Sequence, residues 1–147
     1  WAGMGTTLTA LAWLGGDPAR VAVLHVGDSR AYLVRDGEFS QITRDHTYVQ
    51  TLIDSGRISP EEAAVHPRRN LLMRAIDGVH TAEPDVSVRE ARTGDRFLVC
   101  SDGLSGYVSD EDVHALLLLA DPTAAVTALV DAALEAAVPA MVIVHPR

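Results

Sequence analysis

An internal disulfide is the first thing this sequence rules out, because its 147 residues contain one cysteine, Cys100. A lone thiol fits a reducing compartment. A surplus of positive charge is missing too. Twelve basic residues, arginines in place of lysines, face 20 acidic ones, and the net charge is −8. That balance excludes non-specific binding to nucleic acid or to an anionic membrane, which needs basic patches. It suits a protein that gathers carboxylates around cations. No apolar run approaches the roughly 18 residues of a membrane span, and the opening WAGMGTT is not a signal peptide. Internal repeats and low-complexity linkers are absent. The sequence also lacks an initiator methionine and opens on Trp1, almost directly into an apolar run, which reads as a piece of something longer. The expectation is a single domain over residues 1–147, soluble and cytoplasmic, with no membrane segment of its own and room for an anchor beyond Arg147.

What is present is a succession of short elements. Thr6–Leu14 reads as a strand ending at Gly15-Gly16, and Gly16-Asp17-Pro18 as a turn. Val21–Val26 and Ala31–Val34 are apolar and β-branched, Asp36-Gly37 marks a hairpin, and Phe39–Thr43 alternates. These four strands are expected to form an antiparallel meander. Val49, Leu52 and Ile53 then lie on one helical face, with Gly56 placed as a C-cap. Ser59-Pro60-Glu61-Glu62 is a capping box opening a second, short helix that His66-Pro67 stops. Strands follow at Asp85–Arg89 and Arg96–Cys100, with a turn at Thr93-Gly94-Asp95 between them. Ser109 caps a helix to about Leu119, Asp121-Pro122 caps another to about Ala137, and Met141–Val144 is a last strand. Many short strands with helices grouped late make an α+β layered domain, not an alternating βαβ one.

Two aspartates stand out. Gly27-Asp28-Ser29 sits between two strands, and Ser101-Asp102-Gly103 follows the apolar RFLVC. Magnesium and manganese take hard oxygen ligands, usually a few carboxylates with waters. Either stretch alone reads as a turn; two carboxylates at strand ends make a stronger case for a cation site.

The segments GMGTTLTAL (3–11), HVGDSRAYLVRDGEFSQITRDHTYVQTLIDSGRISPEEAAVHPRRNLLMRAI (25–76) and GDRFLVCSDGLSGYVSDEDV (94–113) resemble the metal-dependent protein phosphatases of type 2C in their bacterial form. The richness in Ala, Arg and Val looks actinobacterial. The resemblance implies an antiparallel β-sandwich flanked by helices (αββα), here lacking its N-terminal strands and first helix. It implies Mn2+ or Mg2+ as cofactor, two core ions with a third beside them, and a metal-activated water that hydrolyses phosphoserine or phosphothreonine on proteins. The partners implied are phosphorylated proteins, serine/threonine kinases and their substrates. Asp102 matches the aspartate bridging the core pair to the third metal, a catalytic ligand, and Asp28 matches an aspartate of the third. Thr47–Asn70 matches the flap beside the active site, opened by His46 and closed by Arg68 and Arg69, which are candidates to meet a phosphopeptide.

The match also breaks. The principal metal ligand of the family lies in an Asp-Gly-Met-Gly-Gly-type segment, and AGMG at Ala2–Gly5 has no aspartate. Ala140 and Met141 stand where the family has a ligand Asp and an Asn. A shortened chain, an altered one and a lost metal centre all remain open. Unpaired strand edges would burden an isolated remnant, which favours shortening, whereas Ala140 favours a phosphatase-like binding module without turnover. A phosphatase of an anti-sigma-antagonist switch is a third reading, against which the well-formed flap counts. The six histidines show no ligand spacing, which speaks against zinc. Arg30 is expected in a structural ion pair, the solvated surface pair is the favoured reading of Arg68 and Arg69, and Cys100 reads as a packed thiol.

Overall fold

The computed structural model describes residues 3–137, and they form two compact units, up to Val99 and from Cys100 onward. In the first, β1 (Leu8–Gly15), β2 (Arg20–Val26) and β5 (Asp85–Glu90) make one three-stranded sheet in the order β1-β2-β5. A second sheet has the order β4-β3-β6, from β3 (Arg30–Arg35), β4 (Glu38–Gln41) and β6 (Arg96–Cys100). β2 pairs antiparallel with both its neighbours, and β3 with β4.

The expected four-strand meander is therefore corrected to two hairpins in two sheets. Apolar, β-branched composition identifies β2 and β3 as strands but carries no information on which sheet receives them. The three residues between them make a crossing, not a hairpin. Gly27 has φ +108°, and a Cβ there would lie 2.6 Å from the Thr7 Cβ. Only glycine lets the chain turn against β1's approach at that point. The β3–β4 connection is a two-residue hairpin with Asp36 at φ 52° and Gly37 at φ 81°, the left-handed pair that matches strand twist. β4 stops at Gln41, two residues earlier than expected, because Thr43 Oγ1 takes over as acceptor for the Ala31 N–H (3.0 Å).

In β2, Val21, Val23 and His25 are buried on one face, while Ala31 to Val34 are buried on both faces of β3. Tyr32 is fully buried and stacks on Phe39 with centroids 4.8 Å apart. Arg35 joins the two sheets: its guanidinium makes a forked pair with Asp95 (2.8 and 2.7 Å) and donates to the Glu90 carbonyl of β5 (2.9 Å). Burying the valines of β2 and Leu33 and Val34 of β3 contributes about 1.5–3 kcal/mol each.

Between the sheets' strands in sequence lie α1 (Tyr48–Asp54) and α2 (Pro60–Ala64). Thr47 caps α1, and Gly56 at φ +70° ends it with its N–H on the Ile53 carbonyl. The capping box of α2 is complete, Glu62 N–H to Ser59 Oγ at 3.2 Å and Ser59 N–H to Glu62 Oε2 at 2.7 Å. The segment carrying both helices closes on itself at its base, Tyr48 N–H to Leu71 O and Met73 N–H to His46 O (2.9 and 2.8 Å).

The second unit holds α3 (Asp102–Ser105), α4 (Asp110–Leu117) and α5 (Pro122–Ala137). α4 buries Val113 and Leu117, α5 buries Ala125 and Leu129, each pair one turn apart on a single face. α3 is an addition to the expected elements. Asp102 opens it. Ala140, Met141 and the strand expected at Met141–Val144 lie outside the described residues. Among those described, no helix is long and apolar enough to cross a membrane.

Gly27→Ala is expected to cost on the order of 2–4 kcal/mol, from the left-handed backbone and the overlap with Thr7. Urea unfolding measures it, and a loss under about 0.5 kcal/mol, the size of an ordinary surface substitution, would contradict this account of the crossing.

Candidate functional site

Asp28 is the middle residue of the crossing, and its neighbours are fastened on both sides. The Gly27 N–H donates to His46 Nδ1 (3.0 Å), and the His46 N–H returns a bond to the Gly27 carbonyl (2.8 Å). Ser29 Oγ shares a hydrogen bond with Thr7 Oγ1 (2.7 Å), and Thr9 Oγ1 lies 3.1 Å from the Ser29 carbonyl. The next residue, Arg30, forms the structural ion pair expected of it. Its Nε and Nη2 clasp the Asp45 carboxylate, Nη2 to Oδ2 at 2.6 Å, and Nη1 reaches the Tyr32 hydroxyl (3.1 Å). Burial opposes the Arg30 charge, but the hydrogen bonds and charge of Asp45, together with Tyr32, outweigh it and the guanidinium pKa is raised.

Because a backbone N–H donates to His46 Nδ1, that nitrogen carries the lone pair and the proton sits on Nε2. Nε2–H donates to Asp85 Oδ2 at 2.8 Å. Arg74 Nη1 is 3.4 Å from Nε2, donor against donor, and serves by pairing with Asp85 Oδ1 at 3.0 Å. The hydrogen bond from His46 is the main reason Asp85 is held below the usual carboxylate range. His46 is buried, and both ring nitrogens are engaged within the fold.

A second imidazole lies alongside. His25 is fully buried, its ring centroid 4.7 Å from that of His46. Its Nε2 faces the Arg44 carbonyl (2.9 Å) and so carries the proton, which leaves Nδ1 to accept from Thr9 Oγ1 (2.9 Å). The Thr9 hydroxyl has one proton, and serves His25 or the Ser29 carbonyl, not both at once. Burial lowers the His25 pKa, and the hydrogen bond to the Arg44 carbonyl opposes this.

The remaining candidates are placed differently. Asp102 is exposed at the head of α3 in the second unit, with its carbonyl accepting from Gly106 N–H (2.8 Å). Arg68 and Arg69 are exposed, and the Arg68 guanidinium carbon lies 5.8 Å from the Tyr48 ring centre. Among the described residues, no three His, Cys, Asp or Glu side chains cluster closely enough to hold a metal ion. A two-metal centre needs more ligands than these, so the described residues do not by themselves fit one. Asp85, Arg74, Thr7 and Thr9 were not singled out by sequence reasoning. Asp85 is 39 positions from His46 and looks like any acid opening a strand.

Residues 2–137 match the family model described as protein phosphatase 2C. The serine/threonine protein phosphatase PstP of Mycobacterium tuberculosis is 53% identical over 133 residues, covering 90% of this chain and 25% of that protein. Serine/threonine phosphatase stp of Listeria monocytogenes is 40% identical over 115 residues, 78% of this chain and 44% of that one. Among solved structures, M. tuberculosis PstP/Ppp superposes with a TM-score of 0.85 at 53% identity, covering 91% of this chain and 55% of that one. The PstP catalytic domain in complex with two manganese ions gives 0.81 at 49% identity, 91% and 54% covered. The chain thus spans about a quarter to a half of these curated relatives and just over half of the solved domains.

The histidine pair gives a pH prediction. The fold favours neutral His25, so below its ordinary pKa of 6.5 the unfolded chain takes up a proton that the folded chain resists. Stability is full above that value and declines as pH falls from it toward the lowered folded pKa. Thermal midpoints recorded from pH 7 to 5 should fall more steeply in the parent than in His25→Gln. Equal slopes would show that another group controls this window.

Proposed function

The chain belongs to the protein phosphatase 2C family, and from that membership we propose that the protein hydrolyses phosphoserine and phosphothreonine on proteins, opposing bacterial serine/threonine kinases. The observation that carries this reading is the 53% identity to PstP across nine-tenths of the chain, with the Gly-Asp-Ser and Ser-Asp-Gly segments inside the matched stretch. Manganese or magnesium is the proposed cofactor, supported by the two manganese ions of the solved PstP domain. Such ions, when bound, supply Lewis acidity and an activated water. Asp102 is proposed as a ligand of the core pair and Asp28 of a third ion. Each is a hard oxygen donor, and the further ligands such a centre needs would come from residues other than those described. Arg68 and Arg69, both exposed on the helical flap, are proposed to meet the phosphoprotein there. The cytoplasm is the proposed location, since kinases and their phosphorylated substrates would be reached there.

One observation favours a second reading, a phosphatase-like module that binds without turnover: no three-ligand cluster forms among the described residues.

Phosphate release from a phosphothreonine peptide, with manganese and with chelator, separates the two. Under the enzymatic reading, release depends on manganese and ceases with chelator. Asp102→Asn should then lower the rate by about 100-fold or more, and Asp28→Asn by about 10-fold, the scale of lost metal support. Undiminished turnover in Asp102→Asn would overturn the ligand assignment. A folded chain that releases no phosphate and binds at most one weak ion would establish the second reading.

A further inference from the structure

We propose that His46 is a positioning residue for Asp28, holding the Gly27–Ser29 crossing through a two-way pair of hydrogen bonds, with Asp85 fixing the imidazole tautomer that makes this pair possible. The proposal rests on the phosphatase reading only for the role given to Asp28; the placement of the turn is independent of it.

The geometry leaves His46 one arrangement. Nδ1 must be unprotonated to accept from Gly27, so Nε2 must carry the proton, and Asp85 Oδ2 lies 2.8 Å away to receive it. A carboxylate opposite one imidazole nitrogen selects the tautomer in which that nitrogen is the donor. Arg74, on the other oxygen of Asp85, orients the carboxylate. At the far end, the His46 N–H bond to the Gly27 carbonyl locks the same residue from its other side. Gly27 cannot relieve a lost bond by moving toward β1, because Thr7 already fills the space where a Cβ would be. A ring that only filled volume would need neither nitrogen placed so. The sheet ladder alone does not provide this lock, since Gly27 lies beyond the last residue of β2.

Side chains that separate acceptor from volume test the assignment. Asn at 46 can offer an amide oxygen where Nδ1 was, whereas Leu fills space without an acceptor. In the 15N-labelled chain, a scalar coupling across the Gly27 N–H···Nδ1 bond and nitrogen shifts of an Nε2–H tautomer are expected. His46→Leu should speed Gly27 amide exchange by about tenfold or more, the worth of one hydrogen bond. It should also shift the Asp28 and Ser29 resonances, and His46→Asn should restore both toward the parent. Asp85→Ala removes a half-exposed side chain, so it keeps the test available should His46→Leu not fold. It should shift the His46 nitrogens toward mixed tautomers. Parent-like Gly27 exchange and Asp28 shifts in folded His46→Leu would overturn the proposal, as would a parent tautomer in Asp85→Ala. Manganese added to the same samples should broaden Asp28 in the parent and in His46→Asn, and less in His46→Leu. No broadening in the parent sinks the ligand reading of Asp28, while the exchange and shift data still decide the positioning role.

Discussion

The bond from the Gly27 N–H to a buried imidazole nitrogen is the constraint on which the first unit depends. A buried backbone donor left without an acceptor costs roughly 1–3 kcal/mol, and at Gly27 no strand partner is available. His46 meets that need and in doing so fixes its own protonation. A nitrogen accepting from the backbone cannot carry a proton, so the ring stays neutral while the bond lasts. That neutrality allows His25 to lie 4.7 Å away in a buried pair of imidazoles that would repel each other if both were charged. The exposed carboxylate edge at Asp85 and the Arg74 cation beyond it complete a path from the surface to the crossing. At the crossing, neutral imidazoles lie inside and the Asp85–Arg74 pair lies toward the surface.

The same logic explains where the ion pairs fall. Arg30 with Asp45 and Arg35 with Asp95 bracket β3 at its two ends, and both are forked guanidinium–carboxylate contacts. That planar geometry fixes direction as well as distance, which a lysine ammonium does not. β3 is buried on both faces between them, so the arginines carry the charge at the points where the strand leaves the core. The preference for arginine over lysine in this sequence therefore has a structural expression. Arg44 with Asp54 is a different case, exposed and worth little.

Local chemistry was legible in the sequence, and pairing was not. The capping box at Ser59–Glu62, the left-handed Asp36-Gly37 hairpin and the Gly56 helix end each follow from a few adjacent residues, and each is present. Sheet membership is a matter of long-range partners. β2 and β3 both read as apolar, β-branched strands, and the positive φ of Gly27 against Thr7 marks where the chain crosses between sheets. α3 escaped notice because four residues are too few for a periodicity. At the candidate site, the type and location of Asp28 could be argued from its place between strands. Its support could not. His46 and Asp85 meet only because β5 lies beside β2, with His25 opposite Asp85 in register. No spacing in the chain announces that meeting.

The two aspartates singled out as hard-cation ligands differ in how they are held. Asp28 is flanked by residues bonded at Gly27 N, Gly27 O and Ser29 Oγ, so its Cα has little freedom even though the residue is partly exposed. Asp102 is exposed at the first residue of a four-residue helix, fixed by the Gly106 bond to its carbonyl. Magnesium demands near-octahedral oxygen geometry and surrenders water reluctantly, so it rewards ligands that are already in place. On the ligand role proposed for Asp28, a backbone held in this way lowers the ordering cost of binding an ion. The crossing contributes a fixed reference point, and its placement traces to one glycine and one imidazole.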